Sequence, residues 1–273
     1  MENVGLPIRE FIYFDREKVE DFVSALLGGL PEESKEADSD KSSQVSGKVD
    51  LKVVGLERKG GTRESSWEEI RKATPASLFE RLHSLLEQKN AIRIVDASDA
   101  QCWDTLQVAE FVEFRARTEL SALERLFEII NNIAPFIETF SPEQIQDRNS
   151  QNILRLMKMY EKESYNVRIV PLDAQTKKFI FVASLQREKT RASKEELSDE
   201  YIIFGRIRHK LAKNETFELF SLLPGGIKLP RNQMRDFLTS FKDMPTFLGS
   251  PPKMQDLRIS YPAIILTPIA IYR

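Results

Sequence analysis

A chain of 273 residues with 41% hydrophobic and 30% charged side chains is long enough to bury a sizeable core, and its apolar content excludes a wholly disordered protein. Its formal net charge of −2 argues against a dominant polyanion partner, because nucleic-acid-binding domains usually carry a strong basic excess. A single cysteine, Cys102, and two histidines, His83 and His209, exclude a cysteine-based zinc site within one chain, leave little for a histidine-rich one, and fit a reducing compartment.

The chain opens with Glu10 to Phe14, which reads as a strand. Asp15 is placed to cap the helix that follows, on which Val19, Phe22, Val23, Leu26 and Leu27 recur at helical spacing until Gly28 and Gly29 stop it. Residues 31–47 are acidic, serine-rich and almost free of large apolar groups, so they are expected to form a mobile loop. Val49, Leu51 and Val53 alternate with polar residues as a half-exposed strand does, and Gly60-Gly61 breaks the chain before a short helix from Trp67 to Lys72 capped by Ser65 or Ser66.

Thr74 and Pro75 form a cap and first-turn pair for a helix burying Phe79, Leu82, Leu85 and Leu86, with His83 beside that stripe as a boundary residue. Ala91 to Val95 reads as a short strand, and Val108 to Arg117 as another. Two helices follow, Glu119 to Ala134 and Pro142 to Tyr160, the second opened by a Ser141–Gln144 capping box.

From Tyr165 onward the pattern turns to strands. Asn166 to Pro171 and Lys178 to Leu185 are expected to form one hairpin, and Tyr201 to Leu211 with Thr216 to Leu223 a second, turning at Lys213 and Asn214. A short helix is expected from Asn232 to Phe241. The run Leu257 to Tyr272 has the continuous apolarity of a strand buried on both faces, bent or interrupted at Pro262 and Pro268.

These elements predict an α+β fold: an N-terminal mixed α/β region over 1–117 carrying the 31–47 loop, a helical connector over 118–162, and a C-terminal antiparallel β-rich region over 163–273. No stretch approaches the ~18 apolar residues of a membrane span, and Met1 to Arg9 lacks the order of a secretion signal, so a cytoplasmic protein without membrane contact is expected.

The chemistry-bearing candidates are few. The phosphate-cradling, dinucleotide-binding, nucleophile-elbow and metalloprotease motifs are all missing, so no catalytic residue, metal or cofactor is assigned. Alternation along Tyr201 to Leu211 puts Arg206, Arg208 and Lys210 on one face, a spacing that could track a phosphate backbone, with Arg187, Lys189 and Arg191 as additional cations. An ordinary solvated sheet face is the competing reading. The turn at Gly225-Gly226 has only half of a phosphate-binding motif, and adjacent acids such as Glu195 and Glu196 diverge rather than share a proton or metal. Cys102 lacks a neighbouring base and reads as a buried structural cysteine.

Phe11-Ile12-Tyr13-Phe14-Asp15 at one end and Pro262-Ala263 with Pro268-Ile269-Ala270-Ile271-Tyr272-Arg273 at the other resemble the bounding motifs of an uncharacterised bacterial protein family of about this length. Thr74 to Leu86, Phe204-Gly205-Arg206-Ile207 and Leu222-Leu223-Pro224-Gly225 are similar to its interior. The resemblance implies a bacterial, cytoplasmic protein with one inherited architecture and brings no assigned activity. With no catalytic constellation in view, the sequence is read as a non-enzymatic intracellular binding or scaffold protein that works through a protein partner. Two alternatives stand beside it: a nucleic-acid-binding accessory factor using the basic strand, and an enzyme whose carboxylates, Asp15 among them, converge only in the fold.

Overall fold

Aromatic and β-branched side chains dominate the strands of this chain, and the partners those strands choose are mostly distant in sequence. The structure is a computed structural model that describes residues 9–27, 73–99, 101–140, 163–172, 179–223, 232, 235, 239 and 252–273. The chain divides into two compact units, residues 1–16 with 86–273, and residues 17–85.

In the smaller unit, α1 (Arg16–Leu26) buries Val19 and Val23, one turn apart on one face. Helix α2 (Pro75–Gln88) begins as its Thr-Pro pair predicts, with the Ser77 N–H donating to Thr74 Oγ1 at 3.2 Å, and buries Leu78, Phe79, Leu82 and Leu86. His83 lies on the same side, its ring 5.6 Å from that of Phe79. Beyond the helix Asn90 takes a left-handed φ of 49°, and the Ala91 N–H returns to the Leu86 carbonyl at 2.9 Å, closing off the last turn.

The larger unit is built on a seven-stranded mixed sheet: β1 (Phe11–Phe14), β2 (Ile92–Ile94), β3 (Phe111–Leu120), β4 (Ser164–Pro171), β5 (Ile180–Gln186), β6 (Glu200–Lys210) and β9 (Ala263–Tyr272). Because β6 pairs with both β3 and β9, the path β3–β4–β5–β9–β6 returns to β3 and closes a small barrel. All of its contacts are antiparallel except that between β5 and β9. β1 extends the sheet beyond β9, and β2 runs parallel to β3 at the opposite edge.

The barrel interior holds Phe114, Ala116, Val167, Ile169, Phe181, Ala183, Leu185, Ile203, Ile207, Ile264 and Leu266. A second cluster lies outside, where Leu123, Leu126, Phe127 and Ile130 of α4 (Ala122–Phe140) pack with Val182, Ala263 and Ile265. The small sheet β7 (Thr216–Glu218) with β8 (Arg258–Ser260) adds Ile259 to that cluster. Alternate residues of β9 therefore enter different cores, which is why its apolar run is continuous. The short helix α3 (Cys102–Thr105) places Cys102 and Trp103 in the barrel core, with Trp103 edge-on to Tyr261 at 5.3 Å.

Several expectations change. The sheet is mixed rather than antiparallel, and it is shared between chain ends: β1, β2 and β3 belong to the same sheet as the C-terminal strands, with β3 crossing the 117/118 division. The second hairpin is absent, because β6 takes β3 and β9 as neighbours while β7 pairs with β8. The strand expected from Val108 begins only at Phe111, since Ala109 sits at φ 73° in a turn. Pro262, joined by a cis bond to Tyr261, separates β8 from β9; Pro268 stays within β9, opposite a register shift at Phe204 and Gly205. Gly205 is required there: a Cβ would stand 2.8 Å from the Thr267 carbonyl oxygen. The 31–47 loop, the Val49–Val53 strand, the Trp67–Lys72 and Pro142–Tyr160 helices, the Asp173–Lys177 turn, the glycine turn and nearly all of 232–241 lie outside the described residues.

Candidate functional site

The six cations singled out from the sequence meet different fates. A second register shift, between Ile207 and His209, breaks the alternation of β6, so Lys210 parts from the exposed face of Arg206 and Arg208. Lys210 Nζ donates to the carbonyls of Trp103 and Leu106 at 2.5 and 3.0 Å and lies 4.9 Å from the Trp103 ring centre. These carbonyls belong to the end of α3 and the residue after it, where helical partners run out, so the ammonium acts as a cap. Arg206 Nε donates to the Ala109 carbonyl at 2.9 Å, holding the positive-φ turn that precedes β3.

Arg208 and Arg191 are exposed. Arg187 stacks 4.2 Å over the Tyr165 ring, and Lys189 Nζ pairs with Asp15 Oδ1 at 2.9 Å. Arg187, Lys189 and Arg191 lie in one segment after β5; Arg206, Arg208 and Lys210 lie on β6, and β9 separates β5 from β6 in the sheet.

The carboxylates are similarly engaged. Asp15 is fully buried; its partners include Lys189 and the Tyr13 hydroxyl, which donates to Oδ2 at 3.5 Å. Burial, followed by the Asp15 charge, pushes the Tyr13 phenol far up. Glu124, in the first turn of α4, is also fully buried, and burial raises its carboxyl despite hydrogen bonds from Asn166. Its Oε1 accepts from the Asn166 N–H at 2.8 Å and from the Asn166 side-chain amide at 2.9 Å. His209 Nε2 meets Glu215 Oε1 at 2.7 Å in a tight turn that the Ala212 N–H also closes on Glu215. Burial pushes the Cys102 thiol up, away from reactivity. Among the described residues no group of three or more His, Cys, Asp or Glu side chains is arranged to hold a metal ion.

What the sequence did not single out is the sheet edge at β2, which is open among the described strands. β1 is covered on its outer side, where the Arg191 N–H donates to the Ile12 carbonyl at 2.8 Å and Tyr13 bridges Thr190. β2 has β3 as its one neighbour among the described strands. The Val95 N–H donates to the Glu113 carbonyl at 3.0 Å, so by strand alternation the backbone groups of Arg93 point toward β3 and those of Ile92 and Ile94 toward the open side. Arg93 is drawn back by a 2.5 Å bond to Thr105 Oγ1. Ile94 is left 69% exposed, and Val108, in the turn before β3, is 55% exposed. From Ile94 to Glu110 the sequence carries Asp96, Asp99, Asp104 and Glu110 and no lysine or arginine. The Ala91–Val95 strand was legible; that its outward residue would be an uncovered isoleucine was not.

Compared with known proteins, residues 8–272 match the family model described as Domain of unknown function (DUF6414). No curated protein and no solved structure matches the chain.

Proposed function

We propose a function for a chain that belongs to the DUF6414 family, whose domain is of unknown function: it is a bacterial, cytoplasmic, non-enzymatic binding or scaffold protein that acts through a protein partner. The observation that carries this reading is the exposed Ile94 on a sheet edge that no further described strand covers, in a sheet whose other edge is covered. The fates of the polar side chains support it. Lys210 and Arg206 satisfy backbone carbonyls, Lys189 neutralises Asp15, and Glu124 completes a strand ladder, so each has work in holding the barrel together. The deciding experiment is affinity capture of the tagged chain from its host after nuclease treatment, with mass spectrometry of what remains. A near-stoichiometric protein is expected; nucleic acid alone, or turnover of a substrate by the purified chain, would sink the reading.

A second reading, nucleic-acid binding, draws on the barrel's connectivity. Five strands closed as a Greek key are the frame on which OB-type domains bind oligonucleotides, using the face of the second and third strands. Those strands correspond to β4 and β5, and here Val182 of β5 is buried in one cluster with the apolar face of α4, with Ile180 half-buried against it. The platform such domains use is thus partly taken by this protein's own helix. Arg208 and Arg191 remain as exposed cations for that reading.

A further inference from the structure

We propose that β2 is the docking strand, and that it receives an extended segment of a protein partner in which apolar residues alternate with lysine or arginine. The inference rests on the protein-partner reading and specifies its site. An open sheet edge offers backbone donors and acceptors at fixed spacing, so an added strand gains affinity from main-chain bonds and selectivity from side chains beside it. On β2 the outward backbone groups are those of Ile92 and Ile94.

Natural sheets guard such edges with a charge, a proline, a bulge or a covering segment. β1 has the covering segment, through Thr190 and Arg191. β2 is short, but its most exposed side chain is Ile94, at 69%, where a protected edge would carry a lysine. An apolar residue of the incoming strand lying across from Ile94 would remove this surface from water.

Charge selects the rest of the segment. The chain leaving β2 passes through the exposed acids Asp96, Asp99 and Asp104 before the half-buried Glu110, while Arg93, the cation of the strand itself, is bonded to Thr105. Asp96 is held ionised, its carboxyl lowered by bonds from the Ser98 hydroxyl and N–H. A basic segment meets complementary potential here, and an acidic one is repelled.

The test selects a random peptide library of about seven residues, the length of a typical strand, against the full chain. Enriched peptides are expected to alternate apolar residues with Lys or Arg. Ile94→Pro removes an outward N–H while leaving the Val95–Glu113 ladder bond, and should weaken these peptides about tenfold or more. Ile94→Lys, which keeps the backbone, should weaken them comparably by adding like charge. Absence of enrichment, selection of acidic or uncharged peptides, or equal binding by both variants overturns the proposal. Nuclease-resistant capture of a protein by wild type and both variants alike would remove β2 while leaving the scaffold reading intact; its absence from all three would remove that reading itself.

Discussion

Glu124 stands in for a strand carbonyl. β3 ends at Leu120, and at the corner the Ser121 N–H donates to the Asn166 carbonyl at 2.9 Å; the next bond of the ladder, from the Asn166 N–H, goes to Glu124 Oε1 at 2.8 Å. The carboxylate reaches across from the helix to extend the sheet by one bond, while its Oε2 is buried with no partner.

That arrangement predicts a pH dependence. A carboxyl raised by burial binds its proton more tightly in the fold than in the unfolded chain. From the ordinary glutamate value up to the raised one, the folded state therefore holds more protons, and this group's contribution to stability falls as pH rises through that interval. Glu124→Gln keeps the accepting oxygen and removes the titration. Thermal unfolding of wild type and variant from about pH 5 to about pH 8 should show the variant gaining relative to wild type as pH rises. A constant difference would mean that Glu124 does not titrate differently in the fold.

The Lys189–Asp15 pair joins residues 174 positions apart, with Asp15 fully buried and the lysine side chain 13% exposed. Lys189→Met leaves the carboxylate without this cation and should cost about 3–5 kcal/mol in denaturant unfolding. Combining it with Asp15→Asn should recover most of that loss, because the buried charge that Lys189 balanced is then gone. A single variant as stable as wild type would show that the pair contributes nothing.

Gly205→Ala tests the barrel seam. The added methyl would stand 2.8 Å from the Thr267 carbonyl oxygen and 3.0 Å from Leu266 Cγ, so β6 and β9 must separate. A loss of about 1–3 kcal/mol is expected, read as a lower denaturant midpoint with an unchanged slope.

Lys210 and Arg208, two residues apart, should behave oppositely. Lys210→Met removes bonds to two carbonyls and should cost about 2 kcal/mol. Arg208→Ala, at an exposed position, should stay within about 0.5 kcal/mol of wild type. The same Arg208 variant decides the nucleic-acid reading: with a single-stranded oligonucleotide titrated at several salt concentrations, an unchanged slope excludes that residue from phosphate contact.

Local pattern carried much of the fold into the sequence. The Thr74–Pro75 start of α2, and the two-sided burial of β9 written in Ile264-Ile265-Leu266, could be read from neighbouring residues. Partner choice could not. Lys213-Asn214 has the composition of a hairpin turn, yet the next strand goes to β8, because pairing is decided by distant surfaces that one sequence does not display. The bulge in β6 between Ile207 and His209 has no local signature either, and it is what separates Lys210 from Arg206. Ser121-Ala-Leu-Glu124 matches a capping box, a signal that was available: the Glu124 N–H does reach Ser121 Oγ, at 3.4 Å, but the carboxylate bonds to β4. At the open edge the strand was readable, but the solvent around Ile94 depends on what fails to pack there.

The position of β9 has a consequence for synthesis. It is the last of the described strands and the neighbour of β1, β5 and β6. Until Ala263–Tyr272 clears the ribosome, three earlier strands each lack a partner, and neither apolar core has its dividing wall. The barrel therefore closes after translation of this segment rather than during it, and a nascent chain stalled before Ala263 presents unpaired strand edges to whatever chaperone or neighbouring polysome lies nearest.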